Sequence, residues 1–235
     1  MRYTRQELKQ DRFAETAADA MHWTVAHRSK LVSGGIVLAV VLIAALGGFW
    51  YYRHVETTAG TELGHALMTY NAPVRLPGTP PDPQQISFAS IQERAIAASD
   101  EFNKIASAYG FTRSGKYAKY FAGLAAIDLG NYKVAEEHLK YTAGVRDSEI
   151  SSLSKLALAS VYRDTGRDAD AAKEYNDLIS HPTDSVPKGT AQLQLADMYS
   201  AKNVPEARKI YEQVAKDNPK TLLGELANTK MQQLK

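Results

Sequence analysis

The sequence has no cysteine and almost no net charge. Without cysteine there can be no disulfide, no thiolate metal site and no thiol catalysis, and the redox compartment stays undetermined. The 28 basic and 26 acidic residues leave a formal net charge of only +2. Nucleic-acid-binding domains usually carry a pronounced positive excess, so we expect no nucleic acid among the partners.

Catalytic, cofactor and metal motifs are also missing. The segment Gly110–Lys116 has the glycine and lysine spacing of a phosphate-binding loop, but Tyr117 stands where Ser or Thr would hold magnesium. A turn between two helices explains the same residues. The six histidines show no metal-binding spacing, and the scattered carboxylates are typical of a solvated surface. The sequence therefore predicts no enzyme activity, no cofactor and no metal.

Charge is wholly absent from residues 31–52, the most apolar segment of the chain. As a helix these 22 residues would be about 33 Å long, enough for a hydrocarbon core of about 30 Å. A signal peptide would have a shorter apolar core nearer its start, and a buried globular helix of this length is uncommon. We interpret the segment as a single transmembrane anchor that contacts the lipid bilayer. Its marker residues are Leu31, Ile36, Leu42, Trp50, Tyr51 and Tyr52.

Basic residues flank this anchor unequally. The first 30 residues carry six Lys or Arg, whereas the 20 residues after Tyr52 carry only Arg53. The positive-inside rule then predicts a cytoplasmic N-terminus and a C-terminal body facing the periplasm or the outside. In a bacterium with an outer membrane, this orientation corresponds to an anchor in the inner membrane and a periplasmic body. Within the cytoplasmic tail, residues 1–30, Thr4 and Glu7 have capping-box spacing, which suggests a short amphipathic helix. A solvated tail is the alternative.

Three windows of the C-terminal body superimpose with an offset of 36 residues. Ala135, Ala171 and Ala207 match one another, and four residues beyond each comes a large side chain: Leu139, Tyr175 and Tyr211. Two turn glycines, Gly130 and Gly166, also match, whereas the third turn, at residues 202–205, is one residue shorter. Small residues let paired helices approach closely, and a turn glycine supplies the positive φ that ends a helix. The pattern resembles the tetratricopeptide repeat and predicts an all-α solenoid; a plain helical bundle is the alternative.

The segments around these repeats fit the same scheme. Residues 53–110 are predicted to form a degenerate first repeat, in which a proline-rich loop at 72–85 separates a continuation of the anchor helix from a second helix at 87–109. Residues 111–235 contain the three repeats and a C-terminal capping helix from Leu222 to Leu234, with Asn218 as its N-cap and Pro219 in its first turn.

A concave groove is the expected binding surface of such an array, because the first helices of successive repeats line it. Several of the residues that the repeat pattern places there are apolar or aromatic, which suits a segment of another protein. Packing between neighbouring helices is the alternative role. The predicted groove residues are Tyr117, Tyr120, Leu124, Ile127, Asp128, Leu153, Leu156, Ser160, Arg163, Asp164, Leu193 and Asp197.

In its arrangement of short tail, anchor and repeat array, the chain resembles the YfgM-like family of bacterial membrane-anchored tetratricopeptide proteins. The most specific matches are Arg53–Glu56, where the chain leaves the membrane, and the closing segment Leu226–Leu234. The resemblance implies a periplasmic role beside the Sec translocon, with translocon subunits, a membrane-anchored chaperone and unfolded client proteins as partners. The alternative is a structural assembly factor for another envelope complex that binds no client.

Overall fold

The computed structural model describes residues 21–80, 82 and 84–234, and in this part of the chain helices dominate and no β-strand forms. The amphipathic helix expected around Thr4 and Glu7 lies outside the described residues. The chain divides into two compact units, Met1–His54 and Val55–Lys235. The helices of the described part are α1 (Arg28–Tyr70), α2 (Ile91–Ala108), α3 (Arg113–Asp128), α4 (Tyr132–Ala143), α5 (Ser148–Asp164), α6 (Asp168–Ser180), α7 (Lys188–Tyr199), α8 (Val204–Asp217) and α9 (Leu222–Gln233).

Helix α1 contains the apolar segment. An 18-residue window in this 43-residue helix has a mean hydropathy of 2.4, and none of that window is buried. All six marker residues of the predicted anchor are exposed. Among the residues that the structure describes, α1 is the one helix long and apolar enough to cross a bilayer. It is compatible with a single-pass membrane anchor.

The remainder of α1, from Val55 to Tyr70, packs against α2 and α3. The interface is built on Ala66, which is fully buried, with Phe102 from α2 and Ala118 and Ala122 from α3. The Glu101 carboxylate of α2 accepts a hydrogen bond from the Thr69 hydroxyl at 3.1 Å. This part of α1 is therefore a helix of the array core.

Helix α2 begins at Ile91, four residues later than the sequence suggested. Ser90 caps it, because its hydroxyl accepts a hydrogen bond from Glu93 N at 3.0 Å while the Glu93 carboxylate accepts one from Ala89 N at 2.9 Å. This reciprocal pair is a variant of the capping box, in which the carboxylate reaches the residue before the N-cap. Immediately upstream, Phe88 has extended backbone and is paired with Val74, so it is not available to a helix.

Helices α3 to α9 form a two-layer array. Each packs against the next along the chain, and α3 also contacts α5, as α7 contacts α9. The matching alanines Ala135, Ala171 and Ala207 are fully buried. The large residues that follow them, Leu139, Tyr175 and Tyr211, are also buried, as the repeat pattern predicts.

We call the turn between the two helices of each of the three repeats a corner, and the first two corners are built on glycine. Gly130 and Gly166 have φ of 71° and 75°. The next residue in each case donates a backbone hydrogen bond to the carbonyl five positions earlier: Asn131 N to Ala126 O at 2.8 Å and Arg167 N to Tyr162 O at 2.7 Å. This is the Schellman arrangement that closes a helix C-terminus.

The third corner uses different chemistry. There the backbone N–H of Asn203 bonds Tyr199 O at 2.7 Å, and the Asn203 side chain caps α8 through Glu206 N. Helix α8 begins at Val204, so Pro205 lies inside its first turn and not in the connection.

The entry into α9 differs from the expected one. Asn218 is the C-cap of α8 and Pro219 lies in the connecting turn, so the assignment of these two residues to the start of α9 is wrong. Thr221 is the N-cap, because its hydroxyl accepts from Gly224 N at 3.2 Å and donates to Asn218 O at 2.9 Å. A β-carbon on Gly224 would lie 2.1 Å from Asn218 O, so glycine permits this close approach.

Candidate protein-binding groove

The predicted groove residues lie on α3, α5 and α7, the first helices of the three repeats. Leu153 and Leu156 of α5 contact both the large core cluster, to which Tyr120 of α3 belongs, and a smaller cluster that contains Ala191 of α7. The three helices are therefore neighbours in one layer. We call the face that carries the twelve predicted residues the groove.

Two of the twelve residues are buried. Tyr120 is 8% exposed within the large core cluster, and Leu193 is 7% exposed in the cluster around α7 and α8. Burial raises the pKa of the Tyr120 hydroxyl. Both side chains pack between helices and present little surface to a partner, which is the alternative role that the sequence left open.

Five apolar or aromatic groove residues are half-buried and rest on the large core cluster. The Arg113 guanidinium lies 5.5 Å from the Tyr117 ring centroid and so partly covers that ring. Residues of this kind hold their position through their inner surface and leave the outer surface available for contact. They are Tyr117, Leu124, Ile127, Leu153 and Leu156.

The carboxylates at the C-terminal end of the groove already have partners. Asp128 accepts a hydrogen bond from the Tyr70 hydroxyl at 2.9 Å. Asp197 accepts one from the Tyr211 hydroxyl at 2.5 Å and lies 2.8 Å from Lys230 Nζ. The pKa of both tyrosines is raised, first by burial and then by these hydrogen bonds.

The central polar residues are likewise engaged. Arg163 Nε lies 3.1 Å from an oxygen of the neighbouring Asp164, and the half-buried Ser160 donates a long hydrogen bond of 3.4 Å to Leu156 O. Asp164 and Asp197 thus lie beside cations, and Asp128 is hydrogen-bonded to a tyrosine hydroxyl. The arrangement favours recognition by apolar contact over recognition by charge.

The predicted groove residues did not include Phe121. This half-buried residue of α3 stacks on Phe102 at 5.4 Å and meets Tyr120 edge-on at 5.1 Å. Tyr70 completes the aromatic cluster at 6.3 Å from Phe121. The signal in the sequence was an aromatic residue directly after Tyr120, but the orientation of the Phe121 side chain depends on its packing against α1 and α2.

Glu56 was also not predicted as a functional residue, although its carboxylate binds the first turn of α3. One carboxylate oxygen accepts from Arg113 N at 2.8 Å, and the other accepts from Ser114 N at 3.1 Å and from the Ser114 hydroxyl at 2.7 Å. Free amides at a helix N-terminus favour a negative group. No local pattern joins residues so far apart in sequence.

The segment Gly110–Lys116 forms a helix entry. Thr112 caps α3 by accepting from Gly115 N at 2.9 Å and donating to Tyr109 O at 2.7 Å, as Thr221 does at α9. A β-carbon on Gly115 would lie 2.0 Å from Tyr109 O, so this glycine serves helix packing. Within the described ranges no three His, Asp or Glu side chains are grouped to hold a metal ion.

Comparison with known proteins gives one family. The model of the Tetratricopeptide repeat-like domain matches residues 22–235. The chain belongs to this family. A tetratricopeptide repeat-like domain generally binds other proteins, which supports a role as a scaffold for protein–protein interaction. No curated protein and no solved structure matches the chain.

Proposed function

We propose that the protein is a membrane-anchored adaptor that binds segments of other proteins in the groove. The main support is the row of half-buried apolar residues on α3 and α5, including Tyr117, Leu124 and Leu156. Their inner surfaces contact the large core cluster, which holds them in position. Preformed apolar surface of this kind suits an unfolded or helical segment. Binding would be non-covalent, with no catalytic step.

The tetratricopeptide repeat-like family and the apolar helix α1 together support the anchored scaffold. The excess of basic residues before the apolar segment supports a cytoplasmic N-terminus and an array on the opposite side of the membrane. The resemblance to YfgM-like proteins supports a bacterial inner membrane and a periplasmic array. Tethering raises the local concentration of the groove for any partner in the same membrane. An adaptor gains affinity in this way without additional contacts.

The proposed site of action is the Sec translocon. Its support is the resemblance of Arg53–Glu56 and Leu226–Leu234 to the corresponding parts of YfgM-like proteins. The adaptor would gather translocon subunits and a membrane-anchored periplasmic chaperone, and it would hold unfolded client chains as they emerge.

The test is purification of the intact protein from its native membrane in mild detergent, followed by quantitative mass spectrometry. Tyr117→Ala removes a groove aromatic, and Tyr141→Ala is the matched control. Tyr141 lies on α4, is 52% exposed and also carries a cation over its ring, Lys119 Nζ at 4.6 Å. We expect partners to be lost from the first variant and kept by the second.

Each outcome decides one part of the proposal. Translocon subunits or an anchored chaperone that depend on Tyr117 support both the groove and its place of action. Equal retention by the two variants contradicts the groove. A different envelope complex, retained in stoichiometric amount without unfolded clients, supports the assembly-factor alternative.

A further inference from the structure

Two parts of the connection between α1 and α2, at residues 72–75 and 87–88, are joined by hydrogen bonds, and the backbone at residues 74–76 has an unpaired edge. Phe88 N donates to Pro73 O at 3.1 Å and Arg75 N donates to Phe88 O at 2.8 Å, which forms the parallel bridge between Val74 and Phe88. The Arg75 guanidinium bonds the carbonyl and hydroxyl of Ser87. Arg94 bonds Ala72 O at 3.2 Å.

In this bridge the backbone of Val74 points away from Phe88. Among the described residues, no partner accepts from Val74 N or from Leu76 N, and none donates to Val74 O. The free side of this bridge has the same kind of unpaired backbone groups as the edge of a sheet, to which an additional strand can pair. Pro73 and Pro77 bound the edge and keep it short.

The side chains of Val74 and Leu76 on this edge, and of Ile86 close to Phe88 in sequence, are apolar and exposed. Val74 is 38% exposed, Leu76 78% and Ile86 49%. Between Ala72 and Gln92 the sequence has only two charged residues, Arg75 and Asp82, and the Arg75 side chain is engaged with Ser87. An anionic lipid surface or a nucleic acid is bound largely through free cations, which this segment lacks. Free main-chain groups beside apolar side chains instead fit a polypeptide.

We propose that the Val74–Leu76 edge binds an extended, largely apolar segment of another polypeptide by β-strand addition. The main chain of that segment supplies carbonyls to Val74 N and Leu76 N and an amide to Val74 O, and its alternate side chains contact Val74 and Leu76. This surface is separate from the groove, so this proposal can be tested independently of the proposed function.

The probe is a fluorescent nine-residue peptide of alternating valine and serine, titrated against the full-length protein in lipid nanodiscs and followed by anisotropy. A second peptide has the same side chains but is N-methylated at every other backbone nitrogen. We expect the second peptide to bind at least about tenfold more weakly, because N-methylation removes the main-chain donors. Equal binding of both peptides, or no binding of the first at about 1 mM, would overturn the proposal.

Variants of the edge complete the test. Val74→Pro removes an amide that makes no internal hydrogen bond, and it also replaces the valine side chain and fixes φ. Leu76→Ser removes the most exposed apolar side chain of the edge. Both should weaken binding about tenfold. Ile96→Ser, on α2 at a residue 48% exposed, is the control and should not change it. If Val74→Pro fails to fold, Leu76→Ser and the methylated peptide still test whether the edge binds the peptide.

Two further outcomes would overturn the proposal in favour of another occupant. Peptide binding that Tyr117→Ala abolishes and Val74→Pro leaves intact would place the peptide in the groove. Since the chain has no cysteine, Leu76→Cys introduces a single thiol. Rapid disulfide formation between two such chains would show that the edge pairs with a second copy.

Discussion

Glu56 is expected to stabilise the array by about 2–3 kcal/mol, and replacing it by alanine tests this value. The substitution removes three hydrogen bonds to a charged acceptor. Water can replace the carboxylate at Arg113, which is exposed, but Ser114 is only 9% exposed. Its amide would lose its partner at a cost of about 1–3 kcal/mol, and loss of the negative charge at the helix N-terminus adds about 0.5 kcal/mol.

The assay is thermal unfolding of the full-length protein in nanodiscs, followed by circular dichroism. For an array of this size, the loss corresponds to a fall in Tm of about 5–10 °C. Hydrogen exchange should also accelerate at the amides of Arg113 and Ser114, while the far end of α3 is less affected. Glu56→Gln should be intermediate, because it keeps an acceptor but not the charge.

Glu62→Ala is the matched control, six residues further along the same helix. Glu62 accepts one hydrogen bond, from the Tyr109 hydroxyl at 2.8 Å, so we expect a loss of about 1 kcal/mol or less. If Glu56→Ala costs no more than Glu62→Ala, or if the first turn of α3 keeps its protection, Glu56 does not hold α3 as described.

Three other predictions concern stability. Gly115→Ala should destabilise the array by about 3 kcal/mol in chemical denaturation, because its β-carbon meets Tyr109 O; a loss below about 1 kcal/mol would contradict the close approach. Gly64→Ala should instead stabilise the array by about 0.5–1 kcal/mol, because nothing lies within 4 Å of the added carbon. Destabilisation by this substitution would indicate that other atoms contact this surface. Burial and the nearby Lys119 lower the pKa of His138 in the folded protein. The unfolded chain therefore binds the extra proton first, and stability should fall as the pH drops below about 6.5. His138→Gln should flatten that dependence in pH-resolved melting curves, and an unchanged slope would exclude His138 as its source.

The repeat was predictable because its signals are local. Small residues such as Ala171, large residues four positions later and the turn glycines Gly130 and Gly166 recur at a fixed spacing, and each has a steric requirement that few other residues meet. Burial on the groove face was less predictable. A repeat pattern assigns Leu193 to a helix face, but its exposure depends on how closely the neighbouring helices pack.

The start of α9 shows a different limit. Asn218, Pro219 and Thr221 all have side chains suited to a helix start, so the sequence offered more than one solution. The close approach of Gly224 to Asn218 O accompanies the N-cap at Thr221, and it depends on the conformation of the whole turn and not on any one residue. Glu56 is the extreme case, since its partners lie 57 and 58 positions away.

The three corners of the array differ in whether their turn residue must adopt a left-handed backbone conformation. Gly130 and Gly166 occupy a backbone region that is the mirror image of the one L-residues prefer. A D-alanine introduced at either position by chemical ligation should fit without strain and restrict the unfolded chain. The third corner depends on the amide of Asn203 and should gain nothing from inverted stereochemistry. Two corners of this array are thus specified by chirality and the third by hydrogen bonding.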